Sequence, residues 1–162
     1  MTQRDTESGD NDRPTLALEN FLPYRLSILS NTVSGTIASA YHERFDLTIP
    51  EWRVMAVIAR TPGMSAAQVS EKTLMDKVAV SRAVARLLKS GRITREFADQ
   101  DRRRSILHLS DEGRVVYDQV APLAIRMEAD LLEGFSEEEI ETLNTLLERM
   151  LARTHLIGAP RV

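Results

Sequence analysis

The sequence contains no cysteine. That absence removes disulfides, thiolate nucleophiles, zinc–thiolate sites and cysteine-based redox sensing. Aromatic residues are scarce, at 5% with a single tryptophan, which argues against an RNA-binding surface built on base stacking. No apolar run approaches the ~20 residues that span a bilayer. The N-terminal stretch MTQRDTESGDNDRP is charged and lacks the apolar core of a secretory signal. A cytoplasmic location, with no membrane partner, is therefore expected. The three histidines, His42, His108 and His155, are widely separated and match no metal-ligand spacing. A glycine-rich phosphate loop and a nucleophile elbow are both missing. With no assembled catalytic constellation, the chain is not expected to be an enzyme, and no cofactor or metal is implied.

What is present is an ordinary balance of 43% hydrophobic and 28% charged residues over 162 positions. That length fits one domain with a sizeable core, or a small domain with helical extensions. The net charge of −3 hides an asymmetry. Between Lys72 and Arg104 stand ten basic and four acidic residues, a local surplus of six, while the remainder carries an excess of nine negative charges. A basic patch on an acidic body is an electrostatic footprint suited to phosphates.

Residues 1–14 are polar and aperiodic, and read as a disordered tail. A long helix is expected over 16–45, with Leu22, Leu26, Leu29, Val33 and Ile37 at spacings of three and four. Thr48-Ile49-Pro50-Glu51 matches a capping box with proline in the first turn, opening a helix that stops at Pro62-Gly63. Ser65-Ala66-Ala67-Gln68 is a second box, opening a short helix to about 73. The turn Leu74-Met75-Asp76 leads into a further helix ending at Ser90-Gly91. Two short strands are expected over 93–98 and 105–109, joined by a loop over 99–104. Ser110 can cap another long helix, kinked by Pro122. After a break at Gly134, the box Ser136-Glu137-Glu138-Glu139 opens a last helix with Ile140, Leu143, Leu146, Leu147, Met150 and Leu151 on one face.

Two helices joined by a tight turn and followed at once by a hairpin form a winged helix-turn-helix. The expected fold is mainly α with a small β-hairpin wing, flanked by N- and C-terminal dimerisation helices. Four segments follow: the tail at 1–14, a dimerisation helix at 15–47, the DNA-binding lobe at 48–110, and dimerisation helices at 111–162. The apolar stripes of the terminal helices need partners, and a homodimer is the economical solution.

On a helical wheel, Val80, Val84, Leu87 and Leu88 share one apolar arc, while Val78, Arg82, Ala85, Arg86 and Lys89 lie opposite, with Ser81 at the edge. Arginine, serine and small apolar groups suit a major groove, where they meet guanine edges, phosphates and thymine methyls. The first turn of this helix adds backbone N–H groups and a partial positive charge, both useful toward phosphate. At the hairpin tip, Arg102, Arg103 and Arg104 would repel one another, and Asp99 and Asp101 offset part of that charge. An arginine carried forward there suits the narrow minor groove.

Asp76-Lys77-Val78-Ala79-Val80-Ser81-Arg82, continuing through Leu87-Leu88-Lys89-Ser90-Gly91, resembles the recognition helix of the MarR family of bacterial transcriptional regulators. Asp101-Arg102-Arg103, followed by Leu107-His108-Leu109-Ser110-Asp111-Glu112-Gly113, resembles that family's wing tip and its junction to the next helix. The helix order also matches, so the resemblance covers about residues 16–155. It implies a two-fold symmetric dimer on a pseudo-palindromic duplex DNA operator. Ser81, Arg82 and Arg86 would serve major-groove bases and phosphates, and Asp101 would orient Arg103 into the minor groove. The full candidate DNA-binding set is Ser65, Lys77, Val78, Ala79, Ser81, Arg82, Arg86, Lys89, Asp101, Arg102, Arg103 and Arg104.

Many members of that family are repressors released by a small, often aromatic, anionic ligand. Members that sense oxidants do so through cysteine, a branch excluded here. A pocket for an aromatic acid or its acyl-CoA thioester is expected where the first long helix meets the helix over 51–60. Candidate ligand residues are Ser30, Asn31, Ser34, Tyr41, His42, Trp52 and Arg53. The same residues could instead cap helices, pack the core or line the dimer interface. The alternative function is a constitutive or architectural DNA-binding protein with no small-molecule effector.

Overall fold

A computed structural model describes residues 16–98 and 101–157; of 98, 101–104 and 155 it describes the backbone alone. The expected tail at 1–14 lies outside these residues. The order is a short 3-10 turn (Leu18–Asn20), α1 (Leu22–Phe45), α2 (Ile49–Arg60), α3 (Ala66–Thr73), α4 (Lys77–Lys89), β1 (Ile93–Ala98), β2 (Asp101–Leu109), α5 (Asp111–Leu131) and α6 (Glu137–Ile157).

Local signals set most boundaries. Thr48 and Glu51 form a reciprocal capping box at α2, with Pro50 in the first turn, and Ser65 and Gln68 form another at α3. At α6 the Glu139 carboxylate accepts from the Ser136 backbone N–H at 2.8 Å, and the Ser136 hydroxyl accepts from the Glu139 N–H at 3.2 Å. Those hydrogen bonds favour the ionised form and hold the exposed Glu139 below the usual carboxylate range.

Three expectations need correction or completion. The first helix begins at Leu22, not at residue 16, because Pro23 is tolerated only in a first turn. The chain makes its 3-10 turn, extends at Phe21 (ψ 108°), and then starts α1. Strand β2 begins at Asp101, so Arg102, Arg103 and Arg104 belong to the strand and not to a loop. Phe97 pairs with Ser105 whereas Ala98 pairs with Asp101, so the three arginines form an insertion in β2 with no counterpart in β1. Finally, α5 runs through Pro122 as one element, which forgoes one ladder hydrogen bond.

The core sits in the lobe. Val54, Met55 and Ile58 of α2 meet Val69 of α3, Val80, Val84 and Leu87 of α4, Ile93 of β1 and Leu107 of β2. Ala83 of α4, Tyr41 of α1, Leu47, and Val116 and Val120 of α5 complete the cluster. Each fully buried side chain of this size contributes about 1.5–3 kcal/mol relative to exposure. Gly63 N–H donates to the Leu107 carbonyl at 3.1 Å and Leu107 N–H to the Met64 carbonyl at 2.9 Å, so the loop before α3 is tied to the wing by an isolated antiparallel bridge. Among the described residues, no helix is long and apolar enough to cross a membrane.

Candidate nucleic-acid interface

The helix-turn-helix is built from α3, three turn residues and α4. Thr73 Oγ1 donates to the Val69 carbonyl at 2.7 Å and accepts from the Met75 N–H at 3.3 Å. Ser70 Oγ donates to the Met75 carbonyl at 2.7 Å. These side chains satisfy the backbone groups freed where α3 ends, with Leu74 in the left-handed region (φ 53°). The Leu74 side chain is thereby left 80% exposed.

Asp76 caps α4, its Oδ1 accepting from Val78 N–H at 2.9 Å and Ala79 N–H at 2.8 Å. The expectation of first-turn N–H groups turned toward phosphate is corrected in part, because Asp76 takes those of Val78 and Ala79 and places a negative charge there. The wheel reading holds otherwise: Val80, Ala83, Val84 and Leu87 are buried against α2 and α3, and Leu88 is half-buried. Lys77, Val78, Ser81, Arg82, Ala85, Arg86 and Lys89 are exposed, and Ala79 is half-buried.

Two expected DNA residues have internal commitments. The Ser65 hydroxyl accepts from Gln68 N–H at 3.3 Å within its capping box, and the side chain is half-buried. Arg86 does not simply point outward. Its Nε lies 3.1 Å from Oε1 of the buried Glu51 and its Nη2 3.9 Å from Asp46 Oδ2. The side chains of Asp101, Arg102, Arg103 and Arg104 lie outside the described residues, and with them the expected Asp101–Arg103 pair.

The wing is held at its base. Ser110 N–H donates to the Arg92 carbonyl at 3.1 Å, its hydroxyl donates to the Gly91 carbonyl at 2.6 Å, and Gly113 N–H donates back to that hydroxyl at 2.9 Å. A Cβ at Gly113 would sit 1.8 Å from the Arg92 carbonyl oxygen, so only glycine lets α5 approach this closely.

The expected ligand residues divide. At the α1–α2–α5 junction Trp52 lies between two rings, Tyr41 at 5.9 Å (tilted) and Tyr117 at 5.6 Å (stacked). Arg53 Nη2 donates to Ser34 Oγ at 3.1 Å. Burial raises the Tyr41 pKa, with the Arg53 charge opposing. His42 turns away, its Nδ1 3.0 Å from the Leu47 carbonyl, and Ser30 and Asn31 lie exposed on α1. Tyr117 was missed. Its signal was the apolar spacing of Gly113, Val116, Tyr117 and Val120, which puts Tyr117 on the inner side of α5.

The arrangement is a helix-turn-helix with an outward basic face, a hairpin locked beside it, and an aromatic junction behind. A family model described as "MarR family" matches residues 45–104, from the end of α1 into the wing. The chain is similar to the transcriptional regulator HosA of Escherichia coli, at 31% identity over 110 residues, covering 68% of this chain and 82% of HosA. Among solved structures, a MarR/EmrR family transcriptional regulator from Acinetobacter sp. ADP1 superposes with a TM-score of 0.80 at 26% identity, covering 87% of this chain and 99% of that one. Streptococcus pneumoniae FabT, solved in complex with DNA, superposes with a TM-score of 0.67 at 27% identity over 83% and 95% of the two chains. Sequence, helix order and wing thus agree, and the chain belongs to the MarR family of transcriptional regulators.

Proposed function

We propose that the chain acts as a homodimeric, cytoplasmic repressor that binds a pseudo-palindromic DNA operator and is released by a small aromatic acid or aromatic acyl-CoA thioester. The observation that carries the DNA-binding part is the outward face of α4. Ser81, Arg82 and Ala85 are exposed there while Val80, Val84 and Leu87 anchor the opposite face in the core. A rigid helix with that division can enter a major groove without rearranging its own support. FabT, of similar fold, is a DNA-bound precedent. Arg102–Arg104 on the wing strand supply local positive charge for the neighbouring groove.

Dimerisation is supported by what the single chain leaves uncovered. Leu22, Leu26 and Leu29 of α1 and Leu143, Leu146, Leu147 and Leu151 of α6 are exposed. Exposed apolar residues repeated at helical spacing on two long helices call for a partner of the same kind. Effector binding is supported by the half-buried Trp52 and Tyr117 rings and the neighbouring exposed Arg53, which reaches Ser34, while Tyr41 behind them is buried in the core.

The test is fluorescence anisotropy on the DNA upstream of the chain's own gene, with and without a panel of aromatic acids and their CoA thioesters. Tight, salt-sensitive binding relieved about 5–150-fold by one compound is expected. Tight binding that none of the panel shifts would favour a constitutive or architectural regulator.

A further inference from the structure

Among the described residues Glu51 is the one buried charged side chain, only 2% exposed. Its Oε2 serves the α2 cap, accepting from the Thr48 backbone N–H at 2.9 Å and from the Thr48 hydroxyl. That duty needs no charge. Gln68 performs it for Ser65 at the start of α3, its Oε1 accepting from the Ser65 N–H at 2.8 Å. What glutamate adds is a second, charged oxygen, and Oε1 holds Arg86 Nε at 3.1 Å. A carboxylate drawn out of water is tolerated when a cation and further donors complete it, and Arg86 is that cation.

Arg86 stands one turn beyond Arg82 on α4, so the contact ties the helix that faces DNA to the α1–α2 corner. A second arginine grips the same corner from the end of α4. Arg92 donates to the Phe45 carbonyl and, at 3.4 Å, to that of Asp46, the left-handed residue that ends α1. The apolar anchors Val80, Val84 and Leu87 set how deeply α4 sits. Nonpolar contact is non-directional, however, and defines the helix's rotation about its own axis less sharply than a hydrogen bond does. A charge-assisted hydrogen bond to a fixed, buried acceptor is directional.

We infer that Arg86 is a positioning residue and not a DNA contact: through the buried Glu51 it fixes the orientation in which α4 presents Ser81 and Arg82. This rests on the DNA-binding reading above and departs from the sequence expectation that Arg86 itself serves bases and phosphates.

The experiment uses the full chain and a duplex that the wild type selects from a randomised pool. Binding is followed by anisotropy at several salt concentrations for wild type, Glu51→Gln, Arg86→Ala and the double variant. Glu51→Gln keeps an acceptor for Thr48 and removes only the charge. Each single variant is expected to weaken binding about tenfold, the size of a lost charge-assisted hydrogen bond. The double variant should be no weaker than the singles, because both remove one contact. The slope of log affinity against log salt should match wild type in all of them, since no phosphate contact is lost.

Glu51→Gln separates the two roles by sign. If Arg86 reads phosphate, freeing it from Glu51 tightens binding, and Arg86→Ala flattens the salt slope by about one per lobe; either result overturns the inference. A role in stability alone would lower the melting temperature and leave affinity unchanged far below it, which also overturns it. If the wild type selects no duplex, the DNA-binding reading fails and takes the inference with it. If wild type binds and both single variants bind equally well, the positioning role alone fails.

Discussion

The lobe from α2 to β2 and the terminal helices solve the burial problem in opposite ways. In the lobe every element contributes to one closed core, so that Val54, Met55, Val69, Leu87 and Leu107 are all fully buried within a single chain. In α6 no described side chain is buried, and Leu156 is 71% exposed. Helix α1 shows both regimes along its length. Tyr41 near its C-terminus is buried, whereas residues 22–32 are all exposed. The lobe thus closes its core within one chain, with Tyr41 of α1 and Val116 and Val120 of α5 contributing, whereas the outer part of α1 and all of α6 stay uncovered, as the proposed homodimer requires. Stability should be local in one region and depend on protein concentration in the other.

The strongest way to sharpen this contrast is to damage the lobe core. Leu87→Ala removes a fully buried side chain between α4 and α2, and should cost about 3 kcal/mol whatever the protein concentration. Denaturant unfolding at two concentrations checks this; a loss that vanishes at high concentration would mean the lobe does not close its own core. The pair Leu146→Glu and Leu151→Glu on α6 should instead convert dimer to monomer in sedimentation velocity while leaving the lobe folded. A variant that stays dimeric would place the interface elsewhere.

Smaller effects test the groove-facing surface. Arg103→Ala on the wing should weaken operator binding with the fold intact by circular dichroism, and full binding would remove the wing from the interface. Arg82→Ala should relax discrimination at one base pair per half-site by about 1–3 kcal/mol, read by competition with mutated duplexes. Unchanged discrimination would drop Arg82 from the base-reading set. The smallest effect is at the α6 cap. Because Glu139 has a lowered pKa in the folded helix, its contribution is complete above the ordinary glutamate range and fades as pH falls through and below it. Glu139→Gln should remove this pH dependence from the helical signal, and an identical acid titration would deny the cap any role.

The same division governs how much could be read from the sequence. Wherever a boundary is set by groups three or four residues apart, it was legible. The Thr48–Glu51, Ser65–Gln68 and Ser136–Glu139 boxes and the Ser110 cap all stand at their expected helix starts. The buried arc of α4 was legible for the same reason, since a helical period fixes which residues share a face. What escaped depends on partners far along the chain. Met64 bridging Leu107, Tyr117 stacking on Trp52, and Arg86 turning to Glu51 each join residues more than thirty positions apart. No spacing rule encodes such contacts. The break at Phe21 was legible in principle through Pro23, but the apolar repeat around it masked the signal.

The most direct test of the account is the mass and composition of the complex with DNA. Sedimentation velocity of the full chain with the duplex it selects should give two chains per duplex on an inverted repeat, with half-site centres about 34–36 Å apart along the DNA. One chain per duplex, or a selected site without two-fold symmetry, would contradict the proposal that the terminal helices join two lobes into one DNA-reading unit.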